Sequence, residues 1–160
     1  MNKIILLLVF VLLLSCCTVE KNYTENGTLE SKGKISNGLK NGQWKYYHEN
    51  GQVHQYGAFK NGKQDGEWHF IYPNGVQQGI GTLDEGKRIG VWKWYFENGQ
   101  LQTERRWNNG KLIDIMSCYD GKGNVLNKGT LVNGTGTMLL YDKDGKLLES
   151  IVYKDGESIK

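Results

Sequence analysis

The chain predicts an all-β fold, an antiparallel meander of β-hairpin repeats of about 24 residues, on three observations. Gly42-x-Trp44, Gly66-x-Trp68 and Gly90-x-Trp92 recur 24 residues apart. Asn50-Gly51, Asn74-Gly75 and Asn98-Gly99 recur at the same interval, as do Asn61-Gly62, Glu85-Gly86 and Asn109-Gly110. After each Gly-x-Trp, side chains alternate with period two, the signature of a strand. Trp44 and Tyr46 stand against Gln43 and Lys45, Trp68 and Phe70 against Glu67 and His69, Trp92 and Trp94 against Val91 and Lys93. The 22 glycines and single proline of the 160 residues fit a chain rich in turns.

Residues 1–15 precede this array and have the zones of an export signal. Lys3 is basic, Ile4 to Leu14 is an apolar run of 11 residues, and Ser15 is small. The run is too short to span a bilayer, which takes roughly 20 apolar residues, and Glu20 and Lys21 stop it from extending. Leu13-Leu14-Ser15-Cys16 resembles the lipobox of bacterial lipoproteins. The resemblance implies cleavage before Cys16, a lipid on its sulfur and attachment to a membrane in the bacterial cell envelope. Nothing directly after Cys16 resembles the Asp that retains many lipoproteins at the inner membrane, which favours the outer membrane where the host has one. Residues 16–25 read as the lipidated cysteine and a flexible polar tether.

The repeat domain, 26–160, divides into a partial unit 26–41 and units 42–65, 66–89, 90–113, 114–136 and 137–160. The last unit is shorter, since Gly123 to Gly145 and Gly134 to Gly156 are each 22 residues apart. Each unit reads as strand, tight turn, strand, loop, with return strands such as Val53 to Lys60 and Leu101 to Asn108. Glu49-Asn50-Gly51, Pro73-Asn74-Gly75 and Glu97-Asn98-Gly99 share one register. Proline holds φ near −65°, so a type I′ turn is excluded there. A type I turn with glycine in the left-handed position and a G1 bulge suits all three.

Tyr56-Gly-Ala-Phe59-Lys-Asn-Gly62-Lys-Gln-Asp-Gly66-Glu-Trp68 resembles a MORN repeat of the longer bacterial variant. The likeness is strong over residues 42–113 and weaker beyond, where Met116 and Met138 replace the tryptophan. The resemblance implies an elongated, single-layer, twisted sheet of stacked hairpins. It also implies roles attached to the family: antitoxin components by association, scaffolds, and lipid binders.

Composition excludes several classes. Without Lys3 the exported chain carries 20 − 1 = 19 Lys and Arg against 17 Asp and Glu, a net charge near +2 with interspersed signs. Nucleic acid as main partner calls for a concentrated basic surface, so none is expected. With Cys17 and Cys118 alone after Cys16, the chain is no disulfide scaffold. The three histidines fall in three registers, so no repeated metal site is expected, nor any cofactor. No serine or cysteine stands in a recognisable arrangement with a histidine, and the chain is not expected to be an enzyme.

Two aromatic lines are candidate surfaces. Trp44, Trp68 and Trp92, with Tyr46, Phe70 and Trp94 beside them, form a row whose equivalents lie roughly 10 Å apart. Aromatic anchors dominate interfaces, but Phe59, Leu83 and Trp107 can fill the gaps, and we read the row as core. On the other face Tyr47, Ile71 and Tyr95 share a register among Lys, Glu and Gln; Tyr47 and Tyr95 are candidate partner-binding residues, ordinary cross-strand pairing being the alternative. Cys118, in the register of Trp94, reads as a small core residue. The expected function is a lipid-anchored envelope module, attached through Cys16, that binds another protein. An antitoxin or immunity protein is the alternative, and a spacer or peripheral membrane-binding surface a further one. Sheet edges invite pairing between copies, and the oligomeric state stays open.

Overall fold

The computed structural model describes residues 17–159. The signal segment 1–15 and the expected lipid attachment at Cys16 lie outside the described residues. The chain forms β1 (Cys17–Tyr23), β2 (Leu29–Ser36), β3 (Leu39–Tyr47), β4 (Val53–Lys60), β5 (Lys63–Ile71) and β6 (Gln77–Asp84). It continues with β7 (Lys87–Tyr95), β8 (Leu101–Asn108), β9 (Lys111–Cys118), β10 (Gly136–Tyr141), β11 (Leu147–Lys154) and β12 (Glu157–Ile159). Strands β1 to β9 make one nine-stranded antiparallel sheet in sequence order, and β10 to β12 a second sheet of three. All elements among the described residues are strands, turns and loops, as the alternation and the turn residues predict.

Two kinds of turn alternate along the meander. After β3, β5 and β7 only the glycine is left-handed: Gly51 (φ 80), Gly75 (φ 84) and Gly99 (φ 85). The Gly51 N–H donates to His48 O at 2.9 Å and His48 N–H to Gln52 O at 2.8 Å, with a bulge at Tyr46/Tyr47. This is the type I turn with a G1 bulge expected from Pro73. After β4, β6 and β8 both central residues are left-handed, as Asn61 (φ 50) with Gly62 (φ 82), which is a type I′ turn. The turns also bind one another. Asn50 Nδ2 donates to Pro73 O at 3.1 Å, Asn74 Nδ2 to Glu97 O at 3.1 Å, and Asn98 Nδ2 to Gly121 O at 2.8 Å. On the opposite edge the N–H of Gly62, Gly86 and Gly110 reaches Lys40, Gln64 and Arg88 carbonyls.

Three expectations are corrected. Residues 17–23, expected within a flexible tether, form β1, paired with β2 from Cys17↔Ser36 to Tyr23↔Leu29. A sheet edge can be held by its ladder while its side chains stay in water, and Val19 is 71% exposed. The meander does not run unbroken through unit 114–136. Val125 to Val132, in the register of a return strand, is irregular: Asn127 Oδ1 caps the Gly129 N–H at 2.9 Å and Gly129 turns left-handed (φ 91). The second sheet therefore starts afresh at β10. It still packs on β9, through Leu112, Ile115, Leu131 and Met138. Finally, Met138 is buried in the tryptophan's stead, but Met116 is exposed and Ile115 is buried. The β8–β9 register shifts twice, at Glu104/Arg105 and at Arg106/Trp107; the first skips Met116, so Ile115 pairs with Arg105 and Met116 turns outward.

Candidate functional site

The tryptophan face is built by a repeated trio. Gly42, Gly66 and Gly90 are left-handed (φ 71, 87 and 69) and bend β3, β5 and β7 two residues before the tryptophan of each. Trp44, Trp68 and Trp92 are fully buried. Each lies over a glycine of the preceding strand: Gly33, Gly57 or Gly81. Their indole N–H groups donate to the carbonyls of Lys34 (3.0 Å), Ala58 (3.1 Å) and Thr82 (3.1 Å), which bulge toward them. Phe59 packs edge-on between Trp44 (5.9 Å) and Trp68 (5.3 Å). Tyr46, Phe70 and Trp94 lie half-buried alongside. A single sheet thus hides a tryptophan in each hairpin, with no second layer needed over β3 to β8.

Cations cover this row. Lys40 Nζ stands 4.2 Å from the Trp44 ring centre and donates to Tyr46 Oη at 2.8 Å. The same register holds Gln64 in the next unit and Arg88 in the one after, whose guanidinium lies 4.9 to 5.8 Å from the rings of Trp92, Trp94 and Trp107. Arg105 occupies the register of Gly33, Gly57 and Gly81 and faces Trp92 across the β7–β8 ladder. Burial pushes both guanidiniums below their ordinary pKa. Cys118 is buried close by, and burial pushes its thiol up, against the smaller effect of Arg105. The arginines were not singled out from the sequence. The signal was there: the glycine register 33–57–81 continues to an arginine at 105.

The opposite face is open. Tyr47, Ile71 and Tyr95 are half-buried along one register. Lys32 Nζ lies 5.7 Å over the Tyr47 ring, and the Tyr95 carbonyl accepts a hydrogen bond from Tyr72 Oη at 2.8 Å. Tyr56 stacks on His69 at 4.4 Å. Lys21, Lys32 and Lys45 are direct cross-strand partners on this face of β1, β2 and β3. His48 and His54 approach to 4.6 Å across their hairpin. Burial and then His48 lower the pKa of His54, while His48 Nε2 bonds Ile71 O at 2.7 Å. Among the described residues no three His, Cys, Asp or Glu side chains converge on a point.

Fold and faces together define a tandem β-hairpin repeat protein with one packed and one open face. Residues 40–61, 88–109 and 135–155 match the MORN repeat variant. The chain is similar to MORN-variant repeats over these stretches, which fall on the β3–β4, β7–β8 and β10–β11 hairpins. The third lies in the small sheet, so the array continues through the break. Comparison with curated proteins finds no match.

Proposed function

We propose that the protein is a membrane-anchored interaction module of the bacterial envelope, attached through a lipid on Cys16 and binding another protein. What supports this reading is the build of the sheet. Hairpins are locked to one another by tryptophans over glycines and by asparagine-linked turns, and a broad surface is left over. MORN repeats are compatible with membrane or protein binding. The rigid array fits a scaffold that presents side chains at fixed intervals, which lowers the ordering cost of binding. We propose no catalytic role. The test is affinity capture from solubilised envelope of the native cell, with mass spectrometry of what is retained. A specific, abundant partner supports the module; an empty capture sinks it.

The lysine row favours contact with an anionic bilayer as a second reading. Like charges opposed across strands destabilise a sheet, and Lys21, Lys32 and Lys45 have no ion pair among the described residues. Anionic lipid near an anchored first strand would relieve that repulsion. Sedimentation of a chain lacking Cys16 with liposomes containing phosphatidylglycerol tests it, and failure to sediment removes it.

A further inference from the structure

On the tryptophan face of β7 and β8 the protein gathers positive charge and N–H donors, with no ion-pair partner for them among the described residues. The Arg88 guanidinium lies among three indoles. Arg105, one strand over, spends its Nε on the buried Thr103 Oγ1 at 3.0 Å. Neither arginine has an ion pair among the described residues. They are near enough that the charge of Arg88 adds to burial in disfavouring the charge on Arg105. Among the described residues, the group whose charge would favour both guanidiniums is the Tyr153 phenol of β11, and no carboxylate does so. Around them the indole N–H groups of Trp94 and Trp107 are buried without an acceptor. The contrast is internal to the repeat, since Trp44, Trp68 and Trp92 each have a carbonyl.

Charge removed from water is compensated by opposite charge or held at a cost in stability. Water can accept hydrogen bonds here, but it brings no charge. We propose that Arg88 and Arg105 form a carboxylate-binding site that receives a Glu or Asp side chain of the protein partner. The inference rests on the interaction-module reading and names the face and chemistry of its contact. A guanidinium fork matches a carboxylate with paired hydrogen bonds. Beside Arg88 an open cleft of about 300 Å³, lined by Gln64, Phe70, Leu83 and Lys87, leaves room for residues flanking the acidic one. Lys87 adds a third positive charge at its rim. Inorganic phosphate shares the oxyanion chemistry, and lacks a chain to fill the cleft.

The full chain in non-ionic detergent would be titrated with a capped poly-glutamate peptide, a capped poly-glutamine peptide and inorganic phosphate, read by tryptophan emission. The glutamate peptide is expected to shift the emission saturably, at concentrations at least tenfold below either of the others. Arg88→Gln should weaken it at least tenfold, and Arg88→Lys, which keeps the charge and loses the fork, several-fold. Arg106→Gln, on the face of β8 opposite to Arg105, should leave it unchanged. Equal binding of poly-glutamine, or full binding by a folded Arg88→Gln chain, overturns the site. Phosphate as tight as the peptide marks a free-anion site and overturns the protein occupant. If Arg88→Gln does not fold, Arg88→Lys decides: undiminished affinity overturns the proposal. Envelope capture that succeeds equally with the Arg88→Lys and Arg88→Gln chains leaves the interaction module standing and removes this site alone.

Discussion

Gly57→Ala introduces one methyl group at the point where a hairpin closes over its tryptophan. A Cβ there would lie 2.5 Å from Trp68 Cε2 and 2.6 Å from Cγ, where carbon atoms need about 3.5–4.0 Å. The ring must therefore retreat by roughly 1 Å or more. Trp68 has nowhere to go, being fully buried against Phe59 at 5.3 Å and tied to Ala58 O at 3.1 Å. Overpacking of this kind costs about 1–3 kcal/mol, and losing the indole hydrogen bond adds about 1 kcal/mol. A total of about 3 kcal/mol, over a urea slope of about 2 kcal/mol/M, lowers the unfolding midpoint by about 1.5 M. Urea melts of residues 17–160 followed by tryptophan emission measure it. Gly51→Ala is the control, since Gly51 is left-handed (φ 80) with nothing near the added methyl. Its cost is the backbone term alone, about 1–2 kcal/mol. A Gly57→Ala midpoint equal to or above that of Gly51→Ala would refute the tryptophan-over-glycine packing.

Other perturbations separate the remaining contacts. Asn74→Ala removes the Glu97 and Val76 bonds (3.1 and 3.0 Å) and should cost about 1–2 kcal/mol by urea melt, with Asn74→Asp, which keeps the Val76 acceptor, costing less. His54 has a folded pKa below its unfolded value, so the unfolded chain binds the proton more tightly and stability falls as pH drops below about 6.5. His54→Gln, matching Gln78 and Gln102 in register, should flatten the midpoint-versus-pH curve between about pH 7.5 and about pH 5.5; an unchanged slope counts against it. Lys32→Gln should raise the midpoint at low salt and lose that gain at high salt, as screening removes the repulsion in the Lys21–Lys32–Lys45 row. Cys118 should resist maleimide in the folded chain carrying Cys17→Ser and react on unfolding, since its thiol is buried and its pKa raised.

The meander was legible because its devices repeat. The Asn-Gly registers mark real turns, and Pro73 alone distinguishes one turn type from the other. Alternation around Trp44, Trp68 and Trp92 places the strands correctly. What alternation could not show was β1, whose side chains are exposed and whose order comes from its ladder with β2. Nor could it show the break after β9, where Asn127 caps a left-handed Gly129, or the split register shift of β8 and β9 that brings Ile115, not Met116, into the core. The arginine pair escaped for a related reason. Arg88 and Arg105 looked like scattered surface charge, since their burial depends on rings contributed by neighbouring strands. Register comparison, glycine against Arg105 and Lys40 against Arg88, carries that information only once strand pairing is known.

Capture from native envelope by the tagged repeat chain is the most direct test of the interaction role. Three baits would be compared: the parent sequence, Tyr47→Ala/Tyr95→Ala and Arg88→Lys. One abundant partner, kept by the tyrosine variant and depleted by Arg88→Lys, is the expected result and places the contact on the tryptophan face. Loss in the tyrosine variant alone would move it to the open face. No partner with any bait would contradict the interaction role itself.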